Sequence, residues 1–312
     1  MLEIAVMLEG QNGLNWRRWM RIAGVVEDLG FTGLFRSDHY TNANPPDMDS
    51  LELWVSLTWL ASHTRHLLFG PLVSPVSFRH PTMTARMAAA VDDLSQGRLV
   101  LGVGAGWQAR EHANYGWELL DAKKRFDRLE EGIQVITQLL RSDQPVDFQG
   151  EYYHLREAIV LPRPARPGGP PILIGGNGLN RTLPLVARYA DEWNAVYITV
   201  EKFTKLNASL DELLQQQNRK PEDVRRSLMT GCVFGNDQAE LQRRVQARTQ
   251  GKSSVEALRQ HGLVVGTPSQ FVDQLGRLME AGVQRVMLQW MDLDDLQGLE
   301  SLAGEVLPQL AK

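Results

Sequence analysis

The stretch Gly33-Leu-Phe-Arg-Ser-Asp-His-Tyr40 decides how the rest of the chain is interpreted. It begins as a short apolar strand and then presents two titratable side chains in succession, Asp38 and His39. A loop containing Pro45-Pro46 follows, so the strand ends here. A strand that carries an acid and a histidine at its carboxyl end is typical of a functional site on an α/β scaffold, and histidine is easily poised near neutral pH. The alternative is a buried structural pair.

Strands and helices alternate on both sides of this stretch. The predicted strands are 2–8, 33–35, 67–73, 99–103, 171–174, 192–198, 228–234 and 283–289. The predicted helices are 16–29, 51–62, 81–94, 182–189, 200–217, 237–260, 266–281 and 296–310. Each of the first four strands is a continuous apolar run of the kind that parallel sheets bury on both faces. Eight strands alternating with helices predict an α/β fold, a (β/α)₈ or TIM barrel.

One segment interrupts the alternation. Roughly seventy residues separate the fourth and fifth strands, which is more than a loop requires. We interpret 108–170 as an excursion from the barrel that holds a helix, 126–140, and a β-hairpin, 146–155, turning near Gln149-Gly150. We expect the whole chain, 1–312, to form one barrel domain.

Composition limits the classes of function. The chain has 312 residues, of which 43% are hydrophobic and 22% charged, so it can build a large core. Its formal net charge of −4 argues against a nucleic-acid partner, which favours a basic surface. The one cysteine, Cys232, excludes an internal disulfide and suits a reducing compartment. We therefore expect a cytoplasmic protein.

The N-terminus predicts a first core strand. It has no basic region before its apolar residues, and Glu3 interrupts them, so it is unlike a signal peptide. No window of the sequence approaches the ~18 uncharged apolar residues that a membrane span requires. We expect no membrane partner.

Two glycine-rich segments leave adjacent predicted strands. Gly102-Val-Gly-Ala-Gly-Trp107 follows the fourth strand, and its spacing is not that of a dinucleotide-binding fingerprint. Gly175-Gly-Asn-Gly178 follows the fifth strand and leads into a helix, whose first N–H groups and dipole can hold a phosphate. Each segment alone is also explained by a tight turn. Together they favour a ligand to which the backbone approaches closely.

Charged residues elsewhere are less informative. Arg79 lies between the third strand and the third helix, where a solvated loop charge is the common alternative to a site residue. Arg243, Arg244 and Arg248 form a basic cluster on a predicted helix, either a solvated face or a site that meets an anionic ligand. The seven histidines show no metal-binding spacing, so we predict no metal site.

In combination these motifs resemble the bacterial luciferase-like superfamily of flavin- or deazaflavin-dependent oxidoreductases. The segments that carry the resemblance are Ser37-Asp-His-Tyr40, Pro71-Leu-Val-Ser-Pro-Val-Ser-Phe-Arg-His-Pro81, Gly97-Arg-Leu-Val-Leu-Gly-Val-Gly-Ala-Gly-Trp107, Pro171-Ile-Leu-Ile-Gly-Gly-Asn-Gly178 and Ala190-Asp-Glu-Trp-Asn194. Asp38-His39 followed by Tyr40-Thr-Asn-Ala-Asn44 is similar to the branch that uses coenzyme F420, an 8-hydroxy-5-deazaflavin. That branch includes methylenetetrahydromethanopterin reductases and sugar-phosphate dehydrogenases, whereas members that use FMN more often have Glu-His-His at this place.

The resemblance implies roles for individual residues. His39 and Asp38 would be catalytic, with His39 as acid or base beside the cofactor ring and Asp38 setting its charge and tautomer. A bulge in the third strand would lie under the ring, often with a cis non-proline peptide bond, here Pro71–Leu72. The implied cofactor-binding residues are Pro71, Leu72, Ser74, Ala105, Gly106, Trp107, Gly175, Gly176, Asn177 and Gly178.

The chain departs from the sugar-phosphate branch at one position. A glutamate, the proposed proton donor, stands there where this chain has Trp107. Glu9 and Glu111 are candidate substitutes, and Arg79 is a third candidate for the substrate pocket. The basic residues that the branch uses for a substrate phosphate have no match in this sequence.

The sequence therefore predicts an enzyme that transfers a hydride between F420 and a small organic substrate, acting as a homodimer. One alternative is an FMN-dependent monooxygenase on the same fold. Another is a barrel that binds a flavin without turnover and serves as a partner subunit. The sequence does not identify the substrate.

Overall fold

The computed structural model describes residues 1–310, in which strands and helices alternate from the N-terminus. The elements are β1 (Glu3–Leu8), α1 (Trp16–Asp28), β2 (Gly33–Arg36), α2 (Leu53–His63), β3 (Leu68–Pro71), β4 (Ser74–Pro75), α3 (Pro81–Leu94), β5 (Leu101–Gly104), α4 (Ala109–Tyr115), α5 (Ala122–Arg141), β6 (Val146–Gln149), β7 (His154–Ala158), β8 (Ile172–Gly175), α6 (Thr182–Tyr189), β9 (Glu192–Val196), α7 (Val200–Gln216), β10 (Arg225–Phe234), α8 (Gln238–Thr249), α9 (Val255–Gln260), β11 (Val264–Gly266), α10 (Pro268–Glu280), β12 (Arg285–Gln289) and α11 (Leu296–Leu310).

Parallel strands close into the predicted barrel. Their order is β3-β2-β1-β12-β10-β9-β8-β5, and β4 continues the path of β3 and pairs with β5. Hydrogen bonds from the Phe69 N–H to the Arg98 carbonyl (3.1 Å) and from the Val100 N–H to the Phe69 carbonyl (2.8 Å) join the two ends of the sheet. The prediction of a (β/α)₈ barrel is confirmed.

The strands bury both of their faces. Inside the barrel, residues such as Met7, Phe35, Leu173 and Met287 form a small apolar core. A much larger cluster fills the layer between the strands and the surrounding helices. Since both faces are covered, most residues of the barrel strands are apolar, which is why the sequence predicts these strands well.

The third strand passes very close to its neighbour. A Cβ built on Gly102 would overlap the carbonyl oxygen of Pro71, so only glycine fits there. The cis peptide bond of this region is Leu72–Val73, which corrects the predicted Pro71–Leu72 by one residue. The third strand stays paired with β2 as far as Leu72, whose N–H donates to the Arg36 carbonyl over 2.8 Å. The irregular bond therefore comes one residue later than predicted.

The excursion has more structure than predicted. It contains the expected helix, α5, and an antiparallel hairpin, β6–β7, with the Gly150 N–H bonded to the Tyr153 carbonyl across the turn. It also contains α4, a short helix that has no side-chain cap at its start and was not predicted. This omission matters because α4 contributes to the site.

Two further differences lie in the last third of the chain. The predicted helix 237–260 is divided into α8 and α9, because Gln250 and Gly251 both adopt a positive φ, 53° and 73°. The three-residue strand β11 was missed, and it extends the sheet beside β10. In residues 1–310 no helix has the length and apolar character needed to cross a membrane.

Candidate active site

Three predicted segments meet at the carboxyl ends of β2, β5 and β8. The indole N–H of Trp107 donates to Nε2 of His39 over 3.3 Å, which joins the end of β5 to the end of β2. Val73 lies between the two glycine-rich segments. A Cβ built on Gly104 would be 2.5 Å from its Cγ2, and one on Gly175 would be 3.5 Å from its Cγ1. All three segments therefore share one rim of the barrel, the end at which such barrels place their sites.

His39 is held by a carboxylate from the excursion. Its Nδ1 lies 2.8 Å from Oε1 of Glu111, a fully buried side chain on α4, and the other carboxylate oxygen accepts the Tyr40 N–H over 3.1 Å. Burial alone lowers the pKa of His39, but the hydrogen bond and charge of Glu111, with smaller effects from Glu9 and Asp38, raise it above its ordinary value. Glu111 keeps a proton on Nδ1, so Nε2 is the nitrogen that can exchange a proton.

Asp38 has a different partner from the one predicted. Its buried carboxylate pairs with Arg79 (Nη1 to Oδ2, 2.5 Å) and accepts the Ser74 hydroxyl over 2.9 Å. The prediction that Asp38 sets the tautomer of His39 is therefore wrong, and Glu111 has that position. Neighbouring residues of an extended chain project to opposite sides, so adjacent residues such as these are poorly placed to pair.

Both terminal nitrogens of Arg79 are bound by protein groups. Besides Asp38, its Nη2 donates to Oε1 of Glu52 over 2.6 Å and to the Tyr40 hydroxyl over 2.7 Å. Burial lowers the pKa of Arg79, but Asp38 and Glu52 outweigh it, so the pKa is raised and the cation is secure. The expected place of Arg79 in the substrate pocket is not supported, because its donors are used in fixing the end of β2.

Trp107 covers the free nitrogen of His39. Its ring meets the imidazole edge-on, with centroids 5.5 Å apart and planes at 82°, and 61% of the residue is exposed. A ring N–H can donate only to an unprotonated Nε2, so this contact fits a neutral His39 with its proton on Nδ1.

Each glycine-rich segment contains a glycine with a positive φ, and the second segment is also fixed by side-chain hydrogen bonds. Gly106 (φ +77°) and Gly176 (φ +130°) adopt conformations that side chains rarely allow, and Ala105 packs against the core. The side-chain amide of Asn177 makes two hydrogen bonds with the backbone of Val196. Its Nδ2 donates to the carbonyl over 2.6 Å, and its Oδ1 accepts the N–H over 2.9 Å. Gly178 lies close to Thr182 in the first turn of α6. The loop is therefore held rigidly at the start of a helix.

Sequence reasoning missed a cation at this rim. Arg125, on α5, donates from Nη1 to the Gly106 carbonyl over 2.9 Å, while its buried Nε has no partner within the described residues. Arg181, just before α6, lies over the Phe126 ring at 5.7 Å. Arg125 belongs to an ordinary amphipathic helix, so only the folding of the excursion reveals where it lies.

Glu9 lies at the end of β1, on the barrel mouth. Its Oε1 accepts the Gln289 amide over 2.6 Å and its Oε2 accepts the Gln11 amide over 3.0 Å. It has no ion pair in residues 1–310, and its charge acts on His39. Of the two predicted substitutes for a proton donor, Glu111 bonds to Nδ1 of His39, the ring nitrogen that Trp107 does not contact. Glu9 faces the mouth of the barrel.

An aromatic cluster, also missed, flanks His39. It consists of Tyr40, Phe78, Tyr115 and Trp117, with neighbouring ring centroids 4.7–5.4 Å apart. Two members come from the end of α4 and the residues after it, so the excursion covers this side of the rim. Across the described part of the chain, no group of three or more His, Cys, Asp or Glu residues is arranged to hold a metal ion.

Comparison with known proteins identifies relatives over nearly the full length. A curated F420-dependent glucose-6-phosphate dehydrogenase from Amycolatopsis mediterranei (strain U-32) is 27% identical over 316 aligned positions, which cover 91% of this chain and 92% of the relative. An F420-dependent hydroxymycolic acid dehydrogenase from Mycobacterium tuberculosis (strain ATCC 25618 / H37Rv) is 30% identical, over 70% of this chain and 59% of the relative. F420-dependent enzymes are thus among its relatives, as the resemblance implies.

Solved structures share the fold. An F420-dependent secondary alcohol dehydrogenase in complex with an F420-acetone adduct superposes with a TM-score of 0.83 over 99% of both chains, at 19% identity. The sequence profile of the luciferase-like monooxygenase family matches residues 2–261, most of the chain. Because this match covers well over half of the sequence, the chain belongs to the luciferase-like monooxygenase family.

Proposed function

We propose that this chain is a coenzyme F420-dependent oxidoreductase that transfers a hydride between the cofactor and a small organic substrate. The observation that carries the proposal is the His39–Glu111 pair beside two glycine-rich strand ends on one rim. Such a pair fixes the tautomer of a proton-transfer residue. The F420-dependent relatives that align with nearly the whole chain support the choice of cofactor.

The rim fits the parts of a deazaflavin nucleotide. Gly104 and Gly175 have no side chains, which makes room between them for the side chain of Val73, against which a flat ring would lie. The Gly175–Gly178 loop at the start of α6 and the unpartnered Nε of Arg125 supply donors for a phosphate. We assign the ring to the Val73 side of the rim and the phosphate to the glycine loop and Arg125.

The protein's own residues handle the proton. When bound, a 5-deazaflavin supplies a two-electron hydride donor or acceptor at C5. Nε2 of His39 takes the hydroxyl proton of an alcohol as it is oxidised, or returns a proton to a carbonyl as it is reduced. Glu111 orients the imidazole and stabilises its charged form, while Asp38 and Arg79 fix the backbone that carries it. Trp107 has to leave Nε2 when a substrate hydroxyl binds.

Replacing His39 with Ala is expected to reduce turnover by about 100-fold or more, because general acid–base catalysis contributes at least that factor. Cofactor affinity and the circular dichroism spectrum should stay near those of the unchanged protein, which separates a chemical role from a folding role. Steady-state kinetics with F420 and a panel of secondary alcohols measures the loss. Undiminished turnover in the variant would remove His39 from the mechanism.

An FMN-dependent monooxygenase is the second candidate. It is favoured by the structure of a type II Baeyer-Villiger monooxygenase in complex with FMN, which superposes with a TM-score of 0.78 over 99% of both chains, at 16% identity. The fold therefore accommodates either cofactor. Titrating both cofactors into the purified chain, with oxygen uptake measured in parallel, decides between them. Saturable binding of FMN with oxygen consumption, and none of F420, would favour the monooxygenase.

We further propose that the chain works in the cytoplasm as a homodimer. The single cysteine, Cys232, is buried and free, which suits a reducing compartment. On α2, Trp54 packs in the core, whereas Val55 is 55% exposed and Trp59 is half-buried against Trp16. The face of α2 around Val55 and Trp59 is the surface we assign to the dimer. Sedimentation of a Val55→Glu variant as a monomer would support that assignment.

A further inference from the structure

A cavity of about 400 Å³ lies at the amino ends of the barrel strands, at the opposite end of the barrel from His39. Its apolar wall comes from residues at or just before the starts of β3, β5 and β8, namely Leu68, Leu99, Val100 and Pro171. On the other side of the barrel, β9, β10 and β12 begin with charged residues that also line it. The cavity is therefore amphipathic, and its volume suits a small organic molecule.

Glu192, the first residue of β9, is the buried acid of this cavity. It lies on the inner face of β9, because Val196 packs against the inner core and alternate strand residues share a face. Only 3% of the residue is exposed, its Oε2 accepts Nη1 of Arg285 over 2.7 Å, and its Oε1 has no partner within the described residues. The nearby Ser227 hydroxyl donates to the Trp193 carbonyl instead, over 3.2 Å. A buried carboxylate oxygen without a donor is costly, so Oε1 points to a donor that the protein does not supply.

Each arginine of the cavity already has an acidic partner of its own. Arg166 pairs with the buried Asp92 over 2.5 Å. Arg225 and Arg285 both pair with Glu3, over 2.5 and 2.7 Å. These guanidinium groups therefore do not require an anion from outside the protein.

The remaining acids of the cavity are less well neutralised. Glu222 and Asp223, in the turn before β10, are exposed and make no ion pair within residues 1–310. Asp191 has only Arg141, at 3.6 Å. When the charged partners of all lining residues are included, six carboxylates meet four guanidinium groups, so negative charge is in surplus. Such a surplus attracts a cation.

We propose that this cavity binds a small organic cation that has a primary ammonium group and a short apolar chain. The ammonium donates to Oε1 of Glu192, Glu222 and Asp223 add charge attraction, and the chain lies against Leu68 and Val100. An ammonium group suits the cavity better than a metal ion, because the described part of the chain has no group of three or more His, Cys, Asp or Glu residues that could hold one. The proposal does not depend on the hydride-transfer function assigned to the other end of the barrel.

The test titrates the full chain calorimetrically with n-butylammonium chloride at constant ionic strength, and with n-butanol as the neutral probe of equal chain length. We expect saturable binding of the ammonium and none of the alcohol over the same concentrations. Glu192→Gln should weaken the binding at least about 10-fold, because it removes a charge-assisted hydrogen bond. Glu222→Gln should weaken it about 2- to 5-fold, the effect of one exposed charge. Glu300→Gln, at an exposed acid on α11, should leave it unchanged.

The buried position of Glu192 calls for a control of folding. If Glu192→Gln does not give the circular dichroism spectrum of the unchanged protein, the comparison of the exposed variants Glu222→Gln and Glu300→Gln decides. Saturating F420 should leave the affinity for n-butylammonium unchanged, because the cofactor rim is at the other end of the barrel. The proposal would be overturned by displacement of the probe by F420, by equal affinity for n-butanol, by equal affinity in Glu222→Gln and Glu300→Gln, or by the absence of saturable binding.

Discussion

At the scale of single residues, the site depends on a pair that is remote in sequence. His39 ends a barrel strand, and Glu111 lies 72 positions later on a short helix of the excursion. The adjacent Asp38, which the sequence favours as a partner, is paired with Arg79 instead. The Glu111 carboxylate therefore holds the imidazole. The Asp38 carboxylate, through Arg79, holds the strand end that carries it.

Replacing Glu111 with Gln is expected to lower the pKa of His39, because the charge of Glu111 and its hydrogen bond are what raise it. The acidic limb of the pH profile of kcat/KM should move to lower pH if His39 acts as a base. Asp38→Asn is the matched comparison and should shift the profile less, since Asp38 acts on His39 only through a smaller, longer-range effect.

Stability gives a second measurement of the same pair. The pKa of His39 is raised on folding, so the pair stabilises the protein fully below the ordinary histidine pKa. This stabilisation is lost as pH rises through the folded pKa. The difference in unfolding free energy between the unchanged protein and Glu111→Gln should therefore shrink from acidic to alkaline pH. A difference that is constant with pH would argue against the pairing.

The residues of the site were predictable only in part. The sequence placed His39, Glu9 and both glycine-rich segments at strand ends, where the structure has them, because strand ends and glycine spacing are local signals. The positions of Arg125 and Glu111 depend on how distant helices fold back over the rim. No local pattern distinguishes Arg248 from its neighbour Arg244, although Arg244 pairs with Glu240 and Asp295 whereas Arg248 donates to the Cys232 carbonyl.

At the scale of elements, the crossing of the third and fourth barrel strands is the most constrained place. Gly102 has no room for a methyl group beside the Pro71 carbonyl, whereas Gly24, exposed on α1, has no atom within 4 Å of its Cβ position. The first glycine is required by packing, and the second only loosens a helix.

Gly102→Ala is expected to destabilise the protein by about 1–3 kcal/mol, the usual cost of overpacking. Gly24→Ala should instead stabilise it by about 0.5–1 kcal/mol, because alanine is the better helix former. Urea denaturation of both variants measures the two free energies of unfolding. Equal effects of the same sign would contradict the packing at this crossing.

Helices were predicted most accurately where apolar residues recur at helical spacing along the sequence. The bounds of α3, α6 and α11 were predicted as they are observed, because an amphipathic pattern extends between clear end signals. The division between α8 and α9 was missed because Gln250 turns in a polar stretch without proline. The short strand β11 was missed because tertiary pairing with β10, and not its own length, makes it a strand.

At the scale of the whole molecule, the two ends of the barrel differ in chemistry. The end opposite the site is tied by a buried ionic group in which Arg285 contacts Glu3 and Glu192, each over 2.7 Å, and Arg225 contacts Glu3 over 2.5 Å. These residues come from β1, β9, β10 and β12, so the group joins four neighbouring strands at the end that contributes to stability.

The two acids of this group should affect stability with opposite dependence on pH. Burial raises the pKa of Glu192, so its contribution falls as pH rises from the ordinary glutamate pKa through the folded one. Burial alone would also raise the pKa of Glu3, but Arg285 and Arg225 lower it, so its contribution is lost as pH falls. Relative to the unchanged protein, Glu192→Gln should gain stability with rising pH and Glu3→Gln should lose it. Thermal unfolding across the acidic range measures both, and slopes of the same sign would refute the assignment.

The central claim is that bound F420 lies against His39. It is tested most directly by nitrogen NMR of the full chain labelled at its histidines, with His39 assigned from the signal missing in His39→Gln. On saturation with F420, the Nε2 resonance of His39 and its titration should shift, while the Nδ1 resonance remains that of a proton donor to Glu111. F420 that binds without changing the His39 signals, or that does not bind at all, would contradict the account.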